Sequence, residues 1–498
     1  MSRIPRALRN DLQDDGLGQS QFVETRKIQP TSGSTGGGSQ GQIRFILPKQ
    51  GILDKDSYIS FQVLQPPNNP NNYTLPIGSG AYSVLDVATL YCGGYQVQQT
   101  RGLGHLLTMK QYYRTPHDRD KKQSIRNGCF LAQMVDTNIA GVPGRWGIDN
   151  TQTWTYEPPG VANQTLINFG YRITASAIPV GQGPGWNVSP EWRIYLADLF
   201  PLLYNENLPL GLLDDEMSIV IDLGPDNCRG ERTIRAGGNW RIADGNSVVI
   251  NPTLNVDLIF YDDPIGQPTT MDEMRTFFES GERLVFTDNA FIQSTQPTAG
   301  QAGVVVNNIL LGLDHQVVRH ILMATPILND YAGPNNTAGN ALLGQYCSMG
   351  SALQNTLQIN INNQPVFPNE LDSDNKIFNQ LSQVFPTPFK VNSAMSSFVG
   401  QVDAAGALVP ALARLTDKQL EAQTQIQLIG QSHYYGVNLA KTHQNVLNAG
   451  TSIGRQPVEL VFGDTKTAAD LTGRQLLIWA NCERLLSIVK GKISVSGS

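Results

Sequence analysis

Leu254-Asn255-Val256-Asp257-Leu258-Ile259-Phe260-Tyr261, followed by Asp262-Asp263-Pro264-Ile265-Gly266-Gln267-Pro268, is the stretch on which the fold turns. The first eight residues end in an apolar, β-favouring run. The next seven are turn formers with two prolines that cannot donate to a ladder, so a strand stops there. Thr270-Met271-Asp272-Glu273 then carries a capping-box pattern, with the Thr270 hydroxyl accepting from the Glu273 amide, which predicts a helix to about Ser280 ended by Gly281. A new strand begins at Arg283-Leu284-Val285-Phe286. The hinge leaves nearly equal lengths of chain on its two sides, residues 42–263 and 283–498, with 264–282 as a linker that carries one short helix. Two similar halves are the expectation.

The pattern outside the hinge repeats. In the first half Ile43 to Leu47 and Tyr58 to Val63 read as strands, and Val84 to Tyr91 returns through a Gly93-Gly94 hairpin to Tyr95-Gln96-Val97, because paired glycines supply the positive φ of primed turns. A helix over about Leu103 to Tyr113 follows. In the second half Val304 to Leu311, Val317 to Met323, the hairpin Leu357 to Val366 around Asn362-Asn363, and a helix over Asn375 to Val384 come in the same order. Met217 to Gly224 and Val458 to Gly463 are the matching late strands, and Leu254 to Tyr261 and Leu485 to Val495 the matching last ones. Setting Met217 against Leu486 instead leaves Leu254 to Tyr261 without a counterpart. The connections Asn127 to Glu191 and Asn392 to Ala413 are too long to be mere linkers, and their Gly, Pro, Trp and Asn content predicts ordered excursions. Residues 1–41 have little apolar periodicity and a Gly-Ser tether, so they read as a flexible N-terminal arm.

Composition fits this pattern. The chain has 498 residues, of which only 16% are charged while 48 are Gly and 29 Pro, as expected of a β-rich protein with long polar loops. A net charge of −6 argues against a whole-surface grip on nucleic acid. Five scattered cysteines without a secretory signal point to synthesis in a reducing interior, which makes the sequons at Asn72, Asn163 and Asn187 chance features. No apolar run is long enough to span a membrane.

Catalytic and metal chemistry leave little trace. His117-Asp118-Arg119-Asp120 lacks a short-spaced Cys or His pair, and His315 and His320 are five apart near one strand, so they point to opposite faces. Gly78-Ser79-Gly80 is not a nucleophile elbow, and Gly102-Leu103-Gly104 is not a dinucleotide fingerprint. The acid pairs Asp214-Asp215 and Asp262-Asp263 read as solvated turn carboxylates, although a glycosidase pair assembled from distant residues leaves no linear signature. Catalytic, cofactor-binding and metal residues: none is assigned, and no cofactor is expected.

With the halves laid out, the chain resembles the double jelly-roll major capsid proteins of virophages, polinton-like viruses and nucleocytoplasmic large DNA viruses. The resemblance rests on Leu85 to Tyr113, on Asn207-Leu208-Pro209-Leu210-Gly211-Leu212-Leu213 leading into Met217 to Leu223, and on Val256 to Asp262. Asp214-Asp215-Glu216 stands where the large-virus pattern often has an aromatic residue and a His, which favours the virophage or polinton-like side. The resemblance implies an all-β fold of two consecutive eight-stranded antiparallel jelly rolls with short helices and long loops. It implies a non-enzymatic capsid protein, a homotrimer whose pseudo-hexameric capsomers tile an icosahedral shell in the virion. Neighbouring capsomers, penton and minor capsid proteins would be its partners, and the genome would be touched only through the arm. Arg3, Arg6 and Arg9 are the candidate assembly contacts there. The other reading is a jelly-roll carbohydrate-binding or glycoside-hydrolysing protein, which calls for a cleft lined by exposed Trp and carboxylates.

Overall fold

The computed structural model describes residues 21–33, 41–64, 80–112, 191–205, 207–224, 248–263, 268–295, 305–324, 355–371, 374–384, 434–441, 449–464 and 475–497. Short segments are also described at 73–74, 126, 134–135, 145–148, 154–157, 166–167, 172–173, 231–236, 239–243, 400–402 and 427–429.

Among the described residues, eight main strands, besides short two-residue ones, build the first half: β1 (Gln21–Ile28), β2 (Gln42–Ile46), β3 (Tyr58–Leu64), β4 (Leu85–Cys92), β5 (Tyr95–Arg101), β6 (Trp192–Tyr195), β7 (Met217–Leu223) and β8 (Val248–Tyr261). Eight comparable strands in the second half match them: β9 (Leu284–Thr295), β10 (Val305–Leu311), β11 (Val317–Ala324), β12 (Asn355–Ile361), β13 (Gln364–Pro365), β14 (Tyr434–Asn438), β15 (Val458–Asp464) and β16 (Gln475–Val489). In the first half one sheet runs β1-β8-β3-β6 and the facing sheet β2-β7-β4-β5, every pairing antiparallel. The second half repeats this with β9-β16-β11-β14 and β10-β15-β12-β13. Apart from the β4–β5 and β12–β13 hairpins, sequence neighbours thus alternate between sheets in the Greek-key manner of a jelly roll, and the chain is a double jelly roll. The late-strand alignment of β7 with β15 holds, since each lies between the second and fourth strands of its half.

Alternation explains the layers. On β7, Ile219, Ile221 and Leu223 are buried while Val220 and Asp222 are half-buried, and on β2 Ile43 and Phe45 are buried between the exposed Gln42 and Arg44. The apolar sets of the two sheets meet in one cluster per half: Phe45 and Ile219 face Phe61 and Val256 in the first, and Ile359 and Leu460 face Ile321 and Ile478 in the second. Gly93 and Gly94 (φ 55° and 86°) and Asn362 and Asn363 (φ 54° and 60°) close the two hairpins as expected of primed turns. Helices α1 (Leu103–Tyr112) and α3 (Asp374–Val384) follow those hairpins, and α2 (Thr270–Glu279) joins the halves.

Four expectations change. Residues 21–28, assigned to a flexible arm, form β1, with every position opposite one of Leu254 to Tyr261, and 32–33 pair with β2. Apolar alternation is missing there because the inward positions Glu24 and Arg26 satisfy each other as an ion pair at 2.6 Å, leaving Ile28 to pack on the core. The single last strand Leu485 to Val495 is a hairpin: β16 ends at Val489, Lys490 and Gly491 (φ 50° and 69°) turn the chain, and β17 (Lys492–Gly497) returns along β16. β16 also starts ten residues earlier than expected, at Gln475. The cap of α2 lies one residue earlier than expected, Thr269 Oγ1 accepting from the Asp272 amide at 3.1 Å, while Asp263 Oδ1 accepts from the Thr270 amide at 3.0 Å. Residues 1–20 and 34–40 of the arm, most of the two long connections and the sequon asparagines Asn72, Asn163 and Asn187 lie outside the described residues.

Candidate functional site

Two surfaces stand out among the described residues: the junction between the jelly rolls, and β1 at an edge of the first jelly roll.

At the junction, edge strand β5 of the first jelly roll lies against edge strand β9 of the second. Gln98, 1% exposed, spans it. Its Nε2 donates to Thr287 O at 3.0 Å and to Asp288 Oδ1 at 3.2 Å, and its Oε1 accepts from Leu202 N at 3.1 Å. Burial raises the Asp288 carboxyl above its ordinary value, opposed by the Gln98 hydrogen bond and the Arg484 charge. One residue past β5, Gly102 takes φ +63°, and a Cβ there would stand 3.0 Å from Trp479 Cζ2 and 3.2 Å from Phe291 Cε2. That notch admits the Trp479 ring, whose Nε1 donates to Arg101 O at 2.9 Å. Beyond it, Leu106 and Met109 of α1 pack with Leu322, Leu381, Leu477 and Trp479 in a cluster separate from both sandwich cores.

The β16–β17 hairpin makes a second connection. Leu486, Ile488 and Ile493 join Leu284 and Phe286 in the apolar cluster of the first jelly roll. Asp214 N donates to Gly491 O at 2.9 Å, Lys49 Nζ to Asp214 O at 2.7 Å, and Tyr95 Oη to Val495 O at 3.3 Å. The Asp214-Asp215-Glu216 turn keeps the exposed Asp214 and Glu216 side chains expected of it, and its backbone serves as a dock for the hairpin tip and for Gly93, whose amide donates to Glu216 O at 2.9 Å. None of this was legible in the sequence, because each contact joins residues far apart in the chain.

Among the described residues no group of three or more His, Cys, Asp and Glu side chains is placed to bind a metal ion, and no helix is long and apolar enough to cross a membrane. His105 on α1 and His320 on β11 are held near a pKa of about 3, in both cases chiefly by desolvation, with Lys110 and Arg319 adding to the effect at His320. His315 sits in the turn before β11 with φ 57°, apart from His320's strand position. Cys482 is buried and its thiol pushed up to about 12 by desolvation. Trp192 and Trp479, the tryptophans whose burial is described, are fully enclosed, so they offer no sugar-stacking platform. Arg3, Arg6, Arg9 and His117 to Asp120 lie outside the described residues.

The open edge is β1. Among the described residues it pairs with β8 alone, and it exposes Phe22 (55%) and Val23 (52%). Phe22 stacks on Phe260 with ring centroids 5.3 Å apart. Exposed apolar side chains on an unpaired sheet edge are a liability unless another surface covers them.

No protein-family model matches the chain, and no curated protein matches it in sequence. Solved structures do. A chain from the quasi-atomic model of the PBCV-1 virus capsid is 14% identical with a TM-score of 0.53, the alignment covering 97% of this chain and 98% of that one. A chain from the cryo-EM structure of the Sputnik virophage is 14% identical with a TM-score of 0.58, over 100% of this chain and 92% of that one. The likeness is one of fold, and it spans both jelly rolls.

Proposed function

We propose that the chain is a viral major capsid protein, three copies of which form a pseudo-hexameric capsomer that tiles an icosahedral shell. The observation that carries the reading is the asymmetry of the sheet edges. The chain fuses β5 of one jelly roll to β9 of the next through buried side chains, whereas β1, the strand equivalent to β9, pairs among the described residues with β8 alone and exposes Phe22 and Val23. A head-to-tail contact made once within a chain and left unmade at its ends closes into a ring when the rotation permits. The fold shared with a chain of the PBCV-1 virus capsid supports the same conclusion.

The first unit ends at Asp263, 264–282 is a linker, and 283–498 is the second unit. Capsomers meet one another and penton and minor proteins in the virion. Residues before β1 act between capsomers, where Arg3, Arg6 and Arg9 pair with acidic groups of a neighbouring capsomer, a minor shell protein or packaged DNA.

Mass measurement and negative-stain imaging of the purified protein test the reading. Hexagonal-looking particles with the mass of three chains are expected. Lone two-lobed particles at high concentration would sink it.

A further inference from the structure

The two ends of β16 are held differently. The strand pairs with β9 as far as Leu486, which lies opposite Leu284, and with β11 between Leu477 and Cys482. Beyond Leu486, among the described residues, Ser487, Ile488 and Val489 have β17 alone beside them, opposite Ser494, Ile493 and Lys492. The hairpin tip is thus a two-stranded ribbon that runs past the end of β9, and such a ribbon is marginal in water by itself. What holds it is the first jelly roll.

The two faces of the ribbon show this. Ile488 and Ile493 stand opposite each other, 4% and 8% exposed, and both belong to the apolar cluster of the first jelly roll, with Val495 packed against it. On the solvent face Ser487 and Ser494 share a hydrogen bond at 2.7 Å, and Val489, Lys490 and Lys492 are exposed. The polar contacts go to the same neighbour. Asp214 N donates to Gly491 O, Tyr95 Oη donates to Val495 O, and the Cys92 thiol bonds the Ile493 backbone. A Cβ on Gly491 would run into the Asp214 carboxyl, so glycine lets the tip lie flat on that turn.

We propose that residues 487–494 are a clasp that opens from the first jelly roll and closes on it as a unit while both sandwiches stay folded. Opening breaks the contacts just named and no rung of the β9 or β11 ladders, so it asks less free energy than unfolding of either sheet. It uncovers the floor beneath Ile493, including Cys92, which is 3% exposed when the clasp is down. Cys482, buried in the second core between β9 and β11, stays covered. The clasp follows the whole second jelly roll in chain order, and its root is a strand of that sheet. The first jelly roll is therefore locked to the second only once the second has formed.

The two thiols report on the clasp in the unsubstituted full chain. A maleimide is added under native conditions, and peptide mass spectrometry follows Cys92 and Cys482 separately, each against its rate in the urea-unfolded chain. Cys92 should be protected at least about tenfold less than Cys482, because local opening costs less than global unfolding. Ile493→Ala strips the side chain held against the floor, and should raise the Cys92 rate by about tenfold or more with Cys482 unchanged. Ile493→Val is the milder second variant in case the first fails to fold, and should raise the Cys92 rate alone by about threefold. Equal protection of the two thiols, rising and falling together in the variants, would mean that the tip leaves only when the whole molecule unfolds, and overturns the clasp. A Cys92 rate that neither substitution moves overturns it as well.

Discussion

At the residue scale, two positions show how much a single side chain, or its absence, is asked to do. Gly102 holds φ +63° and faces Trp479 and Phe291 at 3.0 and 3.2 Å from where a Cβ would be. Gly102→Ala therefore meets both a left-handed backbone penalty of about 1–2 kcal/mol and a clash with an aromatic pair that is itself packed. A lowered denaturant midpoint at unchanged m is expected, and a midpoint within error of the unaltered protein would contradict the notch. His105 is buried and held neutral, its folded pKa lowered to about 3. Above the ordinary value near 6.5 it is neutral folded or unfolded and contributes no pH dependence. Below that value the unfolded chain takes up a proton the folded one refuses, so stability falls as the pH drops from about 6.5 towards 3, by up to roughly 1.4 kcal/mol per unit. His320 acts in the same direction. His105→Gln should flatten the loss of stability measured between pH 6.5 and 5 without abolishing it. The sequence marked His320 as a strand residue and Gly102 only as a glycine outside any nucleotide-binding motif. It held nothing to show that Trp479, far along the chain, would fill the space above Gly102.

At the element scale, strands with one wet and one dry face were legible and the others were not. β7 and β15 alternate plainly, whereas the two elements misread, β1 and β16, break the rule in opposite ways. β1 places the Glu24–Arg26 pair on its inward side and so looks like a polar tail. β16 is apolar without alternation from Leu476 to Ala480, because Leu476, Ile478 and Ala480 fill the second core while Leu477 and Trp479 fill the junction cluster on the other face. Burial on both faces erases the period-two signal. The consequence for the N-terminus is testable. Removing residues 1–35 deletes β1 and strips β8 of its ladder partner along Leu254 to Tyr261, so its melting temperature should fall several degrees below that of a chain lacking only 1–20. Equal melting temperatures for the two truncations would mean that β1 contributes nothing to the folded unit. The helix between the halves was placed within a residue, and its cap makes a sharper test: Thr269→Ala removes the hydroxyl that accepts from Asp272 N and should cost about 1 kcal/mol, whereas Thr276→Ala on the exposed side of the same helix should be near neutral.

At the scale of the whole molecule, the duplication was legible because strand, hairpin and helix recur in order, yet duplication alone says nothing about whether the halves fold together. The structure joins them in three ways: the Gln98 bridge, the Trp479 ring in its notch, and the β16–β17 hairpin inserted against the first core. Two jelly rolls linked only by α2 would unfold separately, each by its own stability. Joined through buried apolar surface they share a transition, provided the junction's free energy exceeds the difference between their intrinsic stabilities. Trp479 is the natural place to weaken that link, since it is fully buried, donates across the junction and lies outside both sandwich cores. Trp479→Ala should cost about 3–5 kcal/mol, the range for a buried aromatic truncated in a packed site. Because that loss falls on the junction, the expected calorimetric signature is specific: one endotherm in the unaltered protein, measured below its assembly concentration, and two overlapping endotherms in the variant. A single endotherm shifted down as a whole would place Trp479 energetically within the second jelly roll, and the halves would then be coupled through the Gln98 bridge and the C-terminal hairpin.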